Sequence, residues 1–327
     1  MTDRDSAGPD FRQRPPWLGA DLQTLRNFLL GPGPELPGGE NLLLALRDGD
    51  RLAARLDRAV NGADKPLIVL IHGLTGSQHS ETVVAAARNF VAQGWSVLRP
   101  NLCGSTPSRP TCRGFYHAGK TGDLADALQS IPSALKANGI ILVGHSLGGD
   151  LVLKFMGEGC HDAPVLAGVA VSPPLDLAAT CRQMMKPRNF LYQRHILNGL
   201  KTEALAPNAD LSAAERKNIV AARSIFEFDD GFIAPHFGFN GASDYYARNS
   251  SNAFLAAIKS PTFIIYAQDD PWIPAACYQA VDWRALPGIT TLFIPKGGHL
   301  GFHDAASATP WHDRMSANWL KAQSLSC

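Results

Sequence analysis

The sequence predicts an α/β fold, a mostly parallel sheet with helices on both faces. Three observations carry that expectation. From Lys65 onward, short apolar runs alternate with amphipathic segments of helical length. The stretch from Gly139 to Met156 reads as strand, tight glycine turn and helix, with Gly144-His145-Ser146-Leu147-Gly148 at the turn. The residues best suited to chemistry, in the His72 loop, at Ser146, at Asp269-Asp270 and at His299, each fall just after an apolar run. A parallel sheet gathers such positions along the carboxyl edge of its strands.

The elements follow in order. Residues 1 to about 16 are charged and carry Pro9, Pro15 and Pro16, and are expected to be disordered. Trp17 to Leu30 has apolar positions at 18, 22, 25 and 29, the period of a short helix. A loop rich in Gly and Pro closes this N-terminal segment, residues 1–39. Asn41–Leu46 and Arg51–Leu56 flank Asp48-Gly49, a hairpin signal. Leu67–Ile71 reads as a strand, and a helix from about Ser80 to Gln93 follows, with Ser80 as N-cap. Trp95–Leu98 is the next strand. A helix from Thr121 carries Leu124, Leu128, Ile131 and Leu135, and Pro132 should split it. Val165–Val171 is a further strand, stopped by Ser172-Pro-Pro174.

Residues 176–260 break the alternation. They hold helical patches and many aromatic residues but no strand pattern, as expected of an insertion covering the turn at Ser146. Thr262–Tyr266 resumes the sheet. A helix from about Pro274 to Trp283, a strand at Thr290–Ile294 and a helix from about Pro310 to Leu325 complete the domain, residues 40–327.

Composition excludes several functions. The formal net charge is +1, so nothing favours nucleic acid or an acidic partner. The N-terminus has no signal-like apolar run, and no stretch approaches the ~18 apolar residues that span a bilayer. The six cysteines form no Cys-x-x-Cys pair and are read as reduced thiols of a cytoplasmic protein; a Cys103–Cys112 bridge is the other reading. No metal-ligand spacing, G-x-G-x-x-G turn or Gly-Lys-Ser/Thr loop occurs, so no cofactor and no metal are expected. Oligomeric state is not legible.

A serine hydroxyl needs a base within hydrogen-bond reach, and the base needs a third group to fix its tautomer. On this kind of sheet the chain order is Ser, acid, His. Of the ten histidines only 161, 195, 236, 299, 303 and 312 follow Ser146, and His299 sits in a glycine-rich loop straight after the last strand. The acid is Asp270 or its neighbour Asp269, with Asp270-Pro-Trp-Ile-Pro274 favouring Asp270. Asp229-Asp230-Gly231 reads as a turn. The oxyanion donors are the N–H groups of Leu147 and, from the loop after the third strand, Leu74. His72 is expected to brace that loop, and His145 to pack beneath the serine.

With these motifs in place, the chain resembles the α/β-hydrolase superfamily, and more narrowly its YheT-like branch, related to ABHD-type lipid hydrolases. Trp17-Leu-Gly-Ala-Asp-Leu-Gln-Thr-Leu25, Gly114-Phe-Tyr-His-Ala-Gly119 and Phe228-Asp-Asp-Gly231 carry the narrower resemblance. His72-Gly-Leu-Thr-Gly-Ser77, Gly144-His-Ser-Leu-Gly-Gly149 and Gly297-Gly-His-Leu-Gly-Phe302 carry the broader one. It implies an eight-stranded sheet, a cap over the site, carboxylesterase activity and Ser146, Asp270 and His299 as a triad. In that branch the turn reads Gly-Phe-Ser, whereas His145 stands here. ABHD-type relatives carry a membrane anchor, and this sequence contains no such run. The expected function is therefore a serine carboxylesterase for short- to medium-chain esters, with a place in lipid metabolism. The alternatives are an acylglycerol lipase or thioesterase using the same triad, or a ligand-binding protein with vestigial activity.

Overall fold

The computed structural model describes residues 11–31, 33–159 and 162–323. Its eight strands are β1 (Glu40–Ala45), β2 (Arg51–Asp57), β3 (Leu67–Ile71), β4 (Val97–Pro100), β5 (Ile140–His145), β6 (Val165–Val171), β7 (Thr262–Ala267) and β8 (Ile289–Ile294). They lie in the order β1-β2-β4-β3-β5-β6-β7-β8. The β1–β2 and β2–β4 pairs are antiparallel, and every pair from β4 to β8 is parallel.

Strand side chains alternate between the two faces. In β3, Leu67, Val69 and Ile71 enter one core and Ile68 and Leu70 the other; in β5, Ile140 and Leu142 oppose Ile141 and Val143 in the same way. Both faces of these strands are therefore apolar, which is why they read as unbroken hydrophobic runs. Helices α1 (Ala20–Leu30), α2 (Glu81–Ala92), α3 (Thr121–Ser130) and α4 (Leu147–Glu158) precede the insertion. Leu124 of α3 and Leu151 of α4 cover one face, Phe90 of α2 the other. Pro132 ends the helical run as expected, leaving a 3-10 turn at Ser133–Leu135.

The insertion is helical throughout. It comprises α5 (Leu177–Met184), α6 (Phe190–Ala204), α7 (Ala213–Ala221), α8 (Ile225–Phe228), a π-helical turn Asp229–Ile233, α9 (Ala234–His236) and α10 (Gly241–Asn249). Helices α11 (Ala276–Gln279) and α12 (Trp311–Ala322) complete the described residues.

Some expectations need correction. Disorder does not extend to residue 16: Phe11 packs edge-on against Phe302 and Trp311, and the Arg14 N–H donates to the His303 carbonyl at 2.9 Å. Residues 1–10 lie outside the described part. Ser80 stands at the cap of α2, but its hydroxyl accepts the Ser77 N–H instead, at 2.9 Å. The helix expected from Pro274 to Trp283 shrinks to α11, and beyond it the Trp283 indole N–H donates to the Tyr278 carbonyl at 2.9 Å. Asp229-Asp230 is not a loop turn but part of the π-helical segment, with the Tyr246 hydroxyl donating to Asp229 at 2.6 Å. Cys103, Cys112, Cys181 and Cys277 are free and buried, so no Cys103–Cys112 disulfide forms; Cys160, His161 and Cys327 lie outside the described residues.

A fully buried arginine fastens the antiparallel edge to the parallel sheet. Arg99 of β4 donates to Asp57 of β2 (2.8 Å), to the Gln78 carbonyl (2.5 Å) and to Glu35 (2.9 Å). Burial pushes the Asp57 carboxyl up, against the pull of Arg99 and Arg55. Replacing one partner of such a pair strands the other. Arg99→Met should lower unfolding stability by about 3 kcal/mol, measured by urea denaturation at neutral pH.

Candidate active site

The site starts from the turn between β5 and α4. Ser146 has φ 53° and ψ −120°, a conformation a non-glycine residue holds only under constraint. The constraint is contact between backbones. A Cβ on Gly144 would lie 2.2 Å from the Gly148 carbonyl oxygen, and one on Gly148 would lie 2.5 Å from that of Ile71. Glycine at both positions lets the chain double back, so that the half-buried Ser146 hydroxyl points off the sheet edge. The Ser146 N–H is anchored on the Val171 carbonyl of β6 at 2.9 Å.

Three of the residues expected from sequence meet here. The Ser146 hydroxyl lies 2.9 Å from His299 Nε2, and His299 Nδ1 lies 2.7 Å from Asp270 Oδ2. Asp270 and His299 are both buried. The other Asp270 oxygen accepts the N–H groups of Trp272 and Ile273 at 2.8 and 3.0 Å, which fixes the carboxylate. The Trp272 ring stacks on the His299 imidazole at 4.2 Å. Asp269 points elsewhere and accepts the N–H groups of Gly297 and Gly298, shaping the histidine loop. Burial raises the Asp269 pKa, and those two donors hold it down.

The loop after β3 approaches the serine closely: a Cβ on Gly73 would lie 3.2 Å from that of Ser146. Among the described residues, neither the Leu74 nor the Leu147 N–H has a hydrogen-bond acceptor. Unpartnered donors beside a nucleophile and at the start of a helix are suited to a developing anion. His72 is fully buried and braces this loop. Its Nε2 accepts the Leu102 N–H at 3.0 Å, so Nδ1 carries the proton to the Gly73 carbonyl at 2.7 Å. Burial lowers its pKa to about 4, which keeps the ring neutral.

Sequence reasoning missed two supports. Helix α1 clamps the histidine loop. Thr24 Oγ1 accepts the His299 N–H at 2.8 Å, and the buried Gln23 bonds both the N–H and the carbonyl of His303. A Cβ on Gly298 or Gly301 would strike carbonyl oxygens of α1 at 2.5 and 2.6 Å. The second support is Tyr116, whose hydroxyl accepts the Thr75 N–H at 2.8 Å and donates to Glu203 of α6 at 2.9 Å. It ties the Leu74 loop to the insertion. Distance in sequence hid both contacts.

A cavity of about 130 Å³ opens beside Ser146 and His299. Leu147, Leu177, Met184, Phe228 and Phe232 give it a largely apolar wall, and Arg109, Tyr116 and Glu203 add polar groups. The insertion's aromatic residues thus divide. Phe228, Phe232, Tyr245 and Tyr246 are buried and line the cavity, whereas Phe190 and Phe226 face solvent. Among the described residues, two groupings have donor types that could hold a cation: His145 with His312 and Asp313, and Asp50 with Cys103 and Cys112, each with its atoms within 4.8 Å. His145 lies beneath the serine, edge-on to His312, and burial lowers its pKa to about 4.

A profile of the alpha/beta hydrolase fold family matches residues 66–306. The chain belongs to this family. It is 31% identical over 285 residues to the putative esterase YheT of Escherichia coli, covering 85% of this chain and 83% of YheT. It is also 25% identical to the monoacylglycerol lipase of Saccharomyces cerevisiae, covering 81% of this chain and 61% of the lipase. These relatives put it in the YheT/ABHD-like branch of the family. A solved esterase of Pyrococcus furiosus shares the fold, with a TM-score of 0.59, 17% identity, and coverage of 89% of this chain and 97% of that one. Among the described residues, no helix of the hydrolase is long and apolar enough to cross a membrane.

Glu203 gives the site a pH signature. Burial raises its pKa from 4.5 to about 7, against the Tyr116 hydrogen bond and the Arg109 charge. A folded-state pKa above the unfolded one adds stability that is complete below pH 4.5 and lost as pH rises to about 7. Glu203→Gln keeps an acceptor for Tyr116 but cannot ionise. Relative to wild type, the variant should gain about 2 kcal/mol of stability between pH 4 and pH 8, the full shift being discounted for partial exposure. Paired urea titrations at the two pH values check this.

Proposed function

We propose that the protein is a carboxylic ester hydrolase that works through an acyl-enzyme on Ser146, with His299 as base and Asp270 as its orienting carboxylate. The observation that carries this reading is the continuous hydrogen-bonded run from the Ser146 hydroxyl through His299 to Asp270. In the first half-reaction, Ser146 attacks the ester carbonyl and His299 Nε2 takes its proton. The Leu74 and Leu147 N–H groups receive the oxyanion, and each such donor typically lowers the barrier by ~3 kcal/mol. His299 then protonates the leaving alcohol. In the second half-reaction, His299 takes a proton from water as the water adds to the acyl carbon; the bond to Ser146 Oγ then breaks, His299 returns the proton to that oxygen, and the carboxylic acid leaves.

The substrate class is a short- to medium-chain ester. The mostly apolar cavity beside the serine favours an acyl chain there. Arg109, Tyr116 and Glu203 on the same wall favour a second reading, an acylglycerol whose free hydroxyls meet polar groups. A series of p-nitrophenyl esters, monoacylglycerols and acyl-CoAs of rising chain length separates esterase, lipase and thioesterase. A vestigial site would take up a fluorophosphonate probe slowly and turn over none of them.

Ser146→Ala should lower kcat for p-nitrophenyl butyrate by about a thousandfold or more and abolish labelling by the probe. Asp270→Asn should lose about as much, because the imidazole then rests in the wrong tautomer. Asp269→Asn should lose far less. Steady-state kinetics on the three variants decide the assignment, and retained activity in Ser146→Ala overturns it.

A further inference from the structure

Of the twelve large apolar side chains that are exposed among the described residues, eight fall in two short segments, 18–30 and 185–191. Phe28, Leu29, Leu30, Phe190 and Leu191 are each more than half exposed, Leu191 to 76%. Although far apart in sequence, the two segments form one surface. The Phe28 ring meets the His195 ring at 4.8 Å, Arg188 pairs with Asp21 at 2.9 Å, and the Tyr192 hydroxyl donates to Asp21 at 3.0 Å. Monomeric proteins rarely leave so many large apolar side chains together in water without a partner for them.

Charge identifies the partner. The stretch 182–195 contains Arg182, Lys186, Arg188 and Arg194 and no acidic residue; α1 adds a single acid, Asp21, which Arg188 neutralises, while its Arg26 turns inward onto Trp17 and His303. The chain as a whole is nearly balanced, with 30 basic and 29 acidic residues, so this surface is a local basic excess. Exposed Leu and Phe bordered by Lys and Arg are the composition of surfaces that lie in the headgroup region of anionic bilayers. A second copy of the chain fits less well, because a twofold contact would set this basic stretch against itself. The surface also adjoins the active site: Tyr192 packs on Trp272 at 5.5 Å, and Trp272 stacks on His299.

We propose that α1 and the start of the cap form a docking surface for an anionic lipid bilayer, which the protein uses to lie on the membrane without spanning it. Docking would bring the site beside esters that partition into lipid. It does not depend on hydrolysis, so it stands or falls separately from the triad.

The test is flotation of the full-length protein with phosphatidylcholine vesicles, with and without phosphatidylglycerol. Wild type and Ser146→Ala should both float with the phosphatidylglycerol vesicles, and raised salt should release them. Phe190→Glu combined with Leu191→Glu, and separately Lys186→Glu combined with Arg194→Glu, should weaken binding by roughly tenfold or more. Hydrolysis of a water-soluble short ester should stay at the wild-type rate in both double variants, which shows that they remain folded. The proposal is overturned if wild type floats with neither vesicle or if both double variants bind as wild type does. It is equally overturned if light scattering shows a dimer that the Phe190/Leu191 variant dissolves.

Discussion

The positive φ of Ser146 is the constraint on which the rest of the site depends. A hydroxyl can stand clear of the sheet edge only if the chain reverses within one residue, and that reversal requires Gly144 and Gly148 to touch backbone directly. The same contact brings the Ile71 and His72 carbonyls against the start of α4. The two candidate oxyanion donors therefore come from segments held together main chain to main chain, where no side-chain rotamer can loosen them. Preorganisation of this kind makes donors effective, because little need move when charge develops.

The proposed base, His299, is held with comparable rigidity from an unexpected direction. His299 belongs to the last loop of the sheet, yet its N–H is fixed by Thr24 and its neighbour His303 by Gln23, both on the first helix of the fold. Gly298 and Gly301 let that helix approach to backbone contact. Helix α1 thus presents one side to the His299 loop and its exposed apolar residues to the surface.

Much of this could be read from the chain. The strands β3, β5, β6 and β7 are buried on both faces, so their apolar runs are unambiguous. The G-x-S-x-G turn and the order Ser, Asp, His then select Ser146, Asp270 and His299. The preference for Asp270 over Asp269 is matched by their geometry, since adjacent carboxylates after a strand must point apart and one of them closes the loop at Gly297. The contacts that stayed hidden join residues with no shared motif. Tyr116 and Glu203 meet only through the packing of the insertion, and the edge-on His145 and His312 rings meet only because α12 packs against α2 and β7 on that face of the sheet. The order of residues 11–16 was also illegible, because Phe11 finds its partners, Phe302 and Trp311, at the other end of the chain.

The insertion leaves the sheet after β6 and returns to it before β7, and its two ends are tied to each other. The Asn252 N–H donates to the Leu175 carbonyl, the Leu177 N–H to the Ser250 hydroxyl, and the Ser251 N–H to the buried Asp150 of α4. An excursion closed at its own base can change length cheaply, because the entropy of closing it grows only slowly with its length. The β6–β7 register is set by the strands themselves. Such a segment can vary most freely away from the points where it touches the site, the Tyr116–Glu203 bond and the packing of Tyr192 on Trp272. A lining rewritten elsewhere would leave Ser146, His299 and Asp270 where they stand, so a change of fit need not disturb their geometry.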